Sequence, residues 1–160
     1  MPPKAQPYPQ TPGAKLWAAS REGDLRVVRA LIADRADPNA HASTSTGSTA
    51  LHEAMLAGHR EVVQALLAAG ALVSTRDSHG NTPLHACALA NLPKCVLFLK
   101  DAGADLNARN RNGETAMDWA NNKGHTQVAA ILRSGMPWYD YLTSKVFIAY
   151  LPIGSQGYTF

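Results

Sequence analysis

Charge is sparse in this sequence, and cysteine is sparser. Only 17% of the 160 residues are Asp, Glu, Lys or Arg, with a net charge of +3. The pI of 9.0 comes without clustered Lys and Arg, which argues against a nucleic-acid partner. Two cysteines, Cys87 and Cys95, cannot build the disulfide framework of a small secreted domain. Neither has a companion at the C-x-x-C or H-x-x-x-H spacing that zinc requires, so both read as buried free thiols. No run of about 18 apolar residues appears, and the opening "MPPKAQPYPQTPGAK" has no apolar core of a secretory kind. The expectation is a soluble, monomeric protein of the cytoplasm or nucleus. Catalytic signatures are missing as well. "LHEAM" begins like the zinc-protease H-E-x-x-H, but residue 56 is leucine and His59 lies beyond a glycine turn. There is no G-x-S-x-G and no Gly-rich phosphate loop. No enzyme, cofactor, metal or small-molecule substrate is expected. The weaker alternative is a small thiol or metal enzyme, which the reactivity of the thiols in the folded protein would reveal.

What is present is a repeat. With 46% hydrophobic residues the chain has enough apolar material for one continuous interior. Gly47, Gly80 and Gly113 recur at a period of 33, followed by "GSTALHEAMLAGHREVVQALLAAGA", "GNTPLHACALANLPKCVLFLKDAGA" and "GETAMDWANNKGHTQVAAILRSG". A weaker copy, "AKLWAASREGDLRVVRALIADRAD", precedes them at an offset of 35, which puts two extra residues in "HASTSTG". Within a copy, Leu51, Ala54 and Met55 and then Val62, Val63, Leu66 and Leu67 follow helical spacing, so each copy holds two short helices with one buried stripe apiece. Gly23, Gly58 and Gly124 end the first helix, and Asn91 takes that place in the third copy. Pro93 falls at the first turn of the helix that follows.

"TPLHACALAN" with "GADLNARNRNG", and "TALHEAMLAGHREVVQALLAAGA", resemble ankyrin repeats, whose 33-residue unit carries a T-P-L-H-x-A signature. The resemblance implies an all-α ankyrin-repeat solenoid of about four helix-turn-helix repeats with extended connector tips. The copies run over about 13–46, 47–79, 80–112 and 113–135. Trp17 stands in place of the motif histidine in the first copy, Arg35 in place of its closing glycine, and Asp118 in place of the histidine in the last. Atypical end copies suit a stack whose outermost faces meet solvent. The resemblance also implies that Thr82 caps its helix and His85 bonds across the turn, as Thr49 and His52 do one copy earlier. Cys87 and Cys95 then fill the places held elsewhere by Ala54 and Ala120 and by Val62 and Val128.

A solenoid works by surface, and the expected function is a non-enzymatic protein-interaction module: an adaptor, scaffold or inhibitory subunit. In proteins of this kind, partners meet the connector tips and the outward sites of the first helices. Those map here to Arg21 and Glu22, to Glu53, Leu56 and Ala57, to Ala86, Leu89 and Ala90, and to Trp119, Asn122 and Lys123. Leu56, Leu89 and Trp119 are expected to line up as an apolar strip with an aromatic anchor. The plain alternative is partial burial between helices. At the tips, Arg76, Arg109 and Arg111, with His79 beside them, outnumber Asp77 and suggest a basic edge, against the alternative of an ordinary solvated loop. The partner implied is a protein segment with apolar side chains and acidic flanks.

The ends leave the repeat. Five prolines in the first twelve residues predict an extended tail over 1–12. Residues 136–160 hold seven of the eleven aromatic residues. They are expected to fold back over Val128, Ala129, Ile131 and Leu132 as a cap, with an artefactual end, a peptide ligand or a membrane-surface anchor as alternatives. "HASTSTGST" reads as an enlarged loop, or less readily as a phosphate acceptor.

Overall fold

The computed structural model describes residues 11–42 and 44–134, and among these it contains eight helices and no strand. They form four hairpins: α1 (Pro12–Glu22) with α2 (Leu25–Ala33), α3 (Ala50–Ala57) with α4 (Arg60–Ala68), α5 (Pro83–Leu89) with α6 (Pro93–Asp101), and α7 (Ala116–Asn122) with α8 (Thr126–Ser134). The inner helices α1, α3, α5 and α7 stack in chain order. On the outer layer α2 packs closely on α4 and α6 on α8, while α4 and α6 meet only sparsely.

Each hairpin turns where the sequence places its breaker. Gly23, Gly58 and Gly124 are left-handed at φ of 78°, 76° and 72°, and Asn91 takes the same conformation at 54°. Arg35 occupies the closing position of the first copy with φ 60°. A side chain there costs on the order of 1 kcal/mol against glycine. Between repeats the apolar stripes merge into one cluster. Leu16, Leu51 and Leu84 are buried in line, as are Val28, Val63, Val96 and Ala129. Leu66, Leu99 and Leu132 form a third such line, and each fully buried leucine contributes roughly 1.5–3 kcal/mol. Val128, Ala129, Ile131 and Leu132 in the last helix are all buried. The cap expected from 136–160 lies outside the described residues, as does the expected tail over 1–12 except for Thr11 and Pro12, which form the N-cap and first residue of α1.

Burying apolar stripes does not by itself fix the rotation of one hairpin on the next. A polar ladder does. His52 Nε2 lies 3.0 Å from the Asn81 carbonyl of the next repeat, and His85 Nε2 lies 3.0 Å from the Glu114 carbonyl. A carbonyl only accepts, so Nε2 carries the proton. Nδ1 is then the acceptor, receiving the backbone N–H of Thr49 at 3.3 Å and of Thr82 at 3.2 Å. Each Nδ1 also lies 2.9 Å from the threonine Oγ1, which donates to it. One neutral imidazole therefore closes the capping box of its own helix and ties that helix to the following repeat.

The end copies divide these two tasks. Trp17 sends its indole N–H across to Ser48 Oγ of the next repeat at 2.9 Å. Helix α1 is capped instead by Thr11, which accepts from the Ala14 N–H. Asp118 does the reverse. Its Oδ2 accepts from the Thr115 N–H at 2.8 Å and from the Thr115 hydroxyl at 2.7 Å. The substitutions noted at the two ends of the repeat array each retain the half of the histidine's work that their position uses.

Burial holds both His52 and His85 below the ordinary imidazole value, with the carbonyl bond opposing the shift in part. The unfolded chain then binds protons more readily than the native one. Stability is full above about pH 6.5 and declines as pH falls through the depressed native values. Asp118, favoured as a carboxylate by the Thr115 backbone and hydroxyl donors, extends the loss at lower pH. The urea midpoint should fall measurably between pH 7.5 and pH 5.5, and a flat profile would contradict this assignment. His85→Ala should cost about 2–4 kcal/mol, because it uncaps α5 and leaves the Glu114 carbonyl without its donor.

Candidate protein-interaction surface

The inner helices present three columns of equivalent positions. Arg21, Leu56, Leu89 and Asn122 form the outermost, and its two leucines are exposed at 44% and 38%. Beside it run Glu22, Ala57, Ala90 and Lys123, of which Ala90 is half-buried and the others exposed. The third column is Ala18, Glu53, Ala86 and Trp119. Trp119 thus matches Glu53 and Ala86, one helical turn before the place of Leu56 and Leu89. The expected three-residue apolar strip is corrected to a leucine pair with Asn122 at its end. Trp119 is half-buried. Its indole N–H donates to Glu114 Oε2 at 2.9 Å, and its ring meets His85 edge-on with centroids 5.5 Å apart. That indole bond, with the donors from Asn110, favours the Glu114 carboxylate. Glu53 is likewise engaged, accepting the Ser48 hydroxyl at 2.7 Å, the same hydroxyl that receives the Trp17 indole.

At the connector tips the arginines part company. Arg76 Nη1 donates to the Gly80 carbonyl at 2.9 Å and to the Arg109 carbonyl of the next tip at 2.7 Å. Arg109 repeats the first of these bonds, donating to Gly113 at 2.6 Å. Both therefore brace the connectors. Arg111 keeps its side chain exposed while its backbone N–H donates to the His79 carbonyl at 2.9 Å. Ser78 makes the equivalent bond to the Thr46 carbonyl at 2.8 Å. His79 is exposed, with Nδ1 only 3.4 Å from Ser78 Oγ. Lys123, at the end of α7, is exposed. The residues thus sort into an exposed set, Leu56, Leu89, His79, Arg111 and Lys123, and a set whose polar groups already serve the fold, Glu53, Arg76, Arg109 and Trp119.

Both ring nitrogens of His52 and His85 are taken by protein partners, so neither offers a lone pair to a metal. Cys87 and Cys95 are free and buried. Burial pushes the Cys87 thiol well up. Among the described residues no group of three or more His, Cys, Asp or Glu converges in a metal-holding arrangement, and no helix is long and apolar enough to cross a membrane.

Two features escaped sequence reasoning. Val27, Leu72 and Phe98 are exposed apolar residues away from the inner face. Val27 lies at the position of Val62, Cys95 and Val128, which a neighbouring repeat covers, and no described repeat precedes the first. A second histidine ladder also runs through the stack: His59 Nε2 meets the Arg21 carbonyl at 3.1 Å, and His125 Nε2 meets the Leu89 carbonyl at 3.3 Å. The "GH" pairs at 58–59 and 124–125, two periods apart, were its available signal.

A family model described as ankyrin repeats, in three copies, matches residues 16–110. The chain belongs to the ankyrin-repeat family, whose repeats are protein–protein interaction modules and typically non-enzymatic. The match spans the first three copies, and the fourth, with Asp118 and Trp119 in its signature, continues the same stack. A comparison with curated proteins found no match.

The tips supply a paired test of the connector geometry. Gly80 and Gly113 share a left-handed φ of 77° and 80°, but a Cβ on Gly80 would lie 3.0 Å from the Arg111 backbone nitrogen, while one on Gly113 would meet nothing within 4 Å. Gly113→Ala should cost about 1 kcal/mol from backbone strain alone. Gly80→Ala should cost clearly more in the same urea titration, and equal losses would refute the tip-to-tip contact.

Proposed function

We propose that the protein is an adaptor, scaffold or inhibitory subunit that engages one protein partner through its inner helix face and connector tips. The observation that carries this reading is the pair Leu56 and Leu89. They sit at one position on successive inner helices and remain exposed although the residues around them are small or polar. Ala57 and Ala90 flank them and Ala86 floors the surface, so an incoming side chain finds apolar contact at little cost in side-chain entropy. Arg111, His79 and Lys123 stand exposed at the edges, which suits a partner segment bearing apolar anchors and acidic flanks. Trp119, Glu53, Arg76 and Arg109 support this surface by holding its helices and tips in register. The chain acts as a monomer in the cytoplasm or nucleus in this reading.

Affinity capture with quantitative mass spectrometry, run side by side on the wild type and on Leu56→Ala/Leu89→Ala, tests it. The double variant should keep its melting temperature and lose binding of the captured partner by a few kcal/mol in titration. Arg111→Ala should weaken binding less and make it less salt-sensitive, while Arg76→Ala should lower stability first. A partner that binds the leucine variant with unchanged affinity would refute the proposed surface.

A further inference from the structure

The second histidine ladder has a missing rung, and it falls between the two leucines of the interaction surface. His59 Nε2 meets the Arg21 carbonyl at 3.1 Å, and His125 Nε2 meets the Leu89 carbonyl at 3.3 Å. At the middle joint the corresponding carbonyl is that of Leu56, but Leu92 stands in the place of the imidazole and brings no polar side-chain group. A second tie is lost at the same joint. Asn39, in the connector after α2, donates to the Gly70 carbonyl at 3.2 Å and accepts from the Leu72 N–H at 2.8 Å, so it clamps the chain that leaves α4. One repeat on, the equivalent residue is Ser74, which has no amide to serve Gly103 and Asp105 in that way. We propose that the joint between the second and third repeats is a hinge that pivots on α3 and α5, opens between α4 and α6, and sets the spacing of Leu56 and Leu89.

The ties that remain lie on the inner edge of this joint. Helix α3 packs closely on α5, His52 Nε2 holds the Asn81 carbonyl at 3.0 Å, and Met55 Sδ lies 3.0 Å from Cys87 Sγ. On the outer edge α4 and α6 meet only sparsely, whereas α2 packs on α4 and α6 on α8. What fills the missing rung is apolar. A Cβ on Gly58 would lie 3.6 Å from Leu92 Cδ2, a contact that bears sliding because dispersion attraction has little direction. Phe98, one helical turn after Cys95 on the same face of α6, keeps 42% of its surface exposed. The joint is therefore hydrogen-bonded along one edge and unbonded along the other, and rotation about the bonded edge costs no ladder bond.

Leu56 and Leu89 lie across the pivot from the opening. As α4 and α6 part, the two leucines approach each other, and as the outer helices close, the leucines separate. A partner whose apolar anchors match one spacing selects the corresponding angle, so occupancy of the inner face and the width of the outer seam are linked in both directions. That link rests on the interaction surface proposed above. The hinge itself does not, and it is measured without a partner.

Double electron–electron resonance on the full chain supplies the test. Cys87→Ala and Cys95→Val carry the residues found at the equivalent positions 54 and 62, and they clear the background for nitroxide labels. One labelled pair, Ala33→Cys with Arg133→Cys, sits on exposed sites of the outer helices, and the other, Glu22→Cys with Lys123→Cys, on exposed sites of the inner layer. Both pairs span the same three joints, and the outer pair should give the broader distance distribution. Leu92→His/Ser74→Asn restores both ties, with left-handed Gly58 beneath the new ring as Gly23 lies beneath His59. It should narrow the outer distribution and shift the outer and inner mean distances in opposite directions. The reciprocal variant His59→Leu/Asn39→Ser loosens the first joint and should broaden the outer distribution. Equal widths for the two pairs, or an outer width that neither variant changes, would overturn the hinge. A hinge that responds as expected stands even if Leu56→Ala/Leu89→Ala leaves partner capture intact, a result that sinks the surface alone.

Discussion

Everything in this stack depends on a neutral imidazole that is asked to do two jobs at once. His52 and His85 each accept the donors of their own helix start and donate to the carbonyl that opens the next repeat. A hydrophobic interface tolerates sliding and rotation, since burial is nearly the same in several registers. A buried hydrogen bond with one donor and one acceptor does not, because a missed partner costs about 1–3 kcal/mol. The leucine and valine layers hold the hairpins together, and the imidazoles decide how they meet.

That fixed register is what gives the surface its geometry. With α3 and α5 locked to their successors, Leu56 and Leu89 fall at one position on neighbouring helices rather than at unrelated points. The same locking passes to the tips. Arg76 bridges two connectors, and the backbone N–H groups of Ser78 and Arg111 bond the tip before them. At the α4–α6 seam Leu92 interrupts the second histidine ladder.

Much of this was legible in the sequence, for reasons that can be named. The period of 33, the helical spacing of the apolar residues and the breakers at Gly23, Gly58, Asn91 and Gly124 are local signals, and the helices and their turns follow from them. Thr82 with His85 was readable through the ankyrin signature. The purpose of Trp17 and Asp118 was not, because each keeps only part of the histidine's function and the part depends on what lies opposite. The tip arginines misled for a related reason: an exposed guanidinium reads as a surface charge until a carbonyl 33 residues away is found against it, as with Arg76 and Arg109. Trp119 looked like a third member of the leucine strip because exposed aromatic residues suggest anchors. Its column is that of Glu53 and Ala86, and its indole is committed to Glu114.

The imidazoles themselves offer the most direct test. Nitrogen-detected NMR of His52 and His85 should show the Nε2–H tautomer, with slowly exchanging protons and titration displaced below the ordinary imidazole value. Ring shifts that titrate near pH 6.5 in the native state, or a proton on Nδ1, would contradict the account.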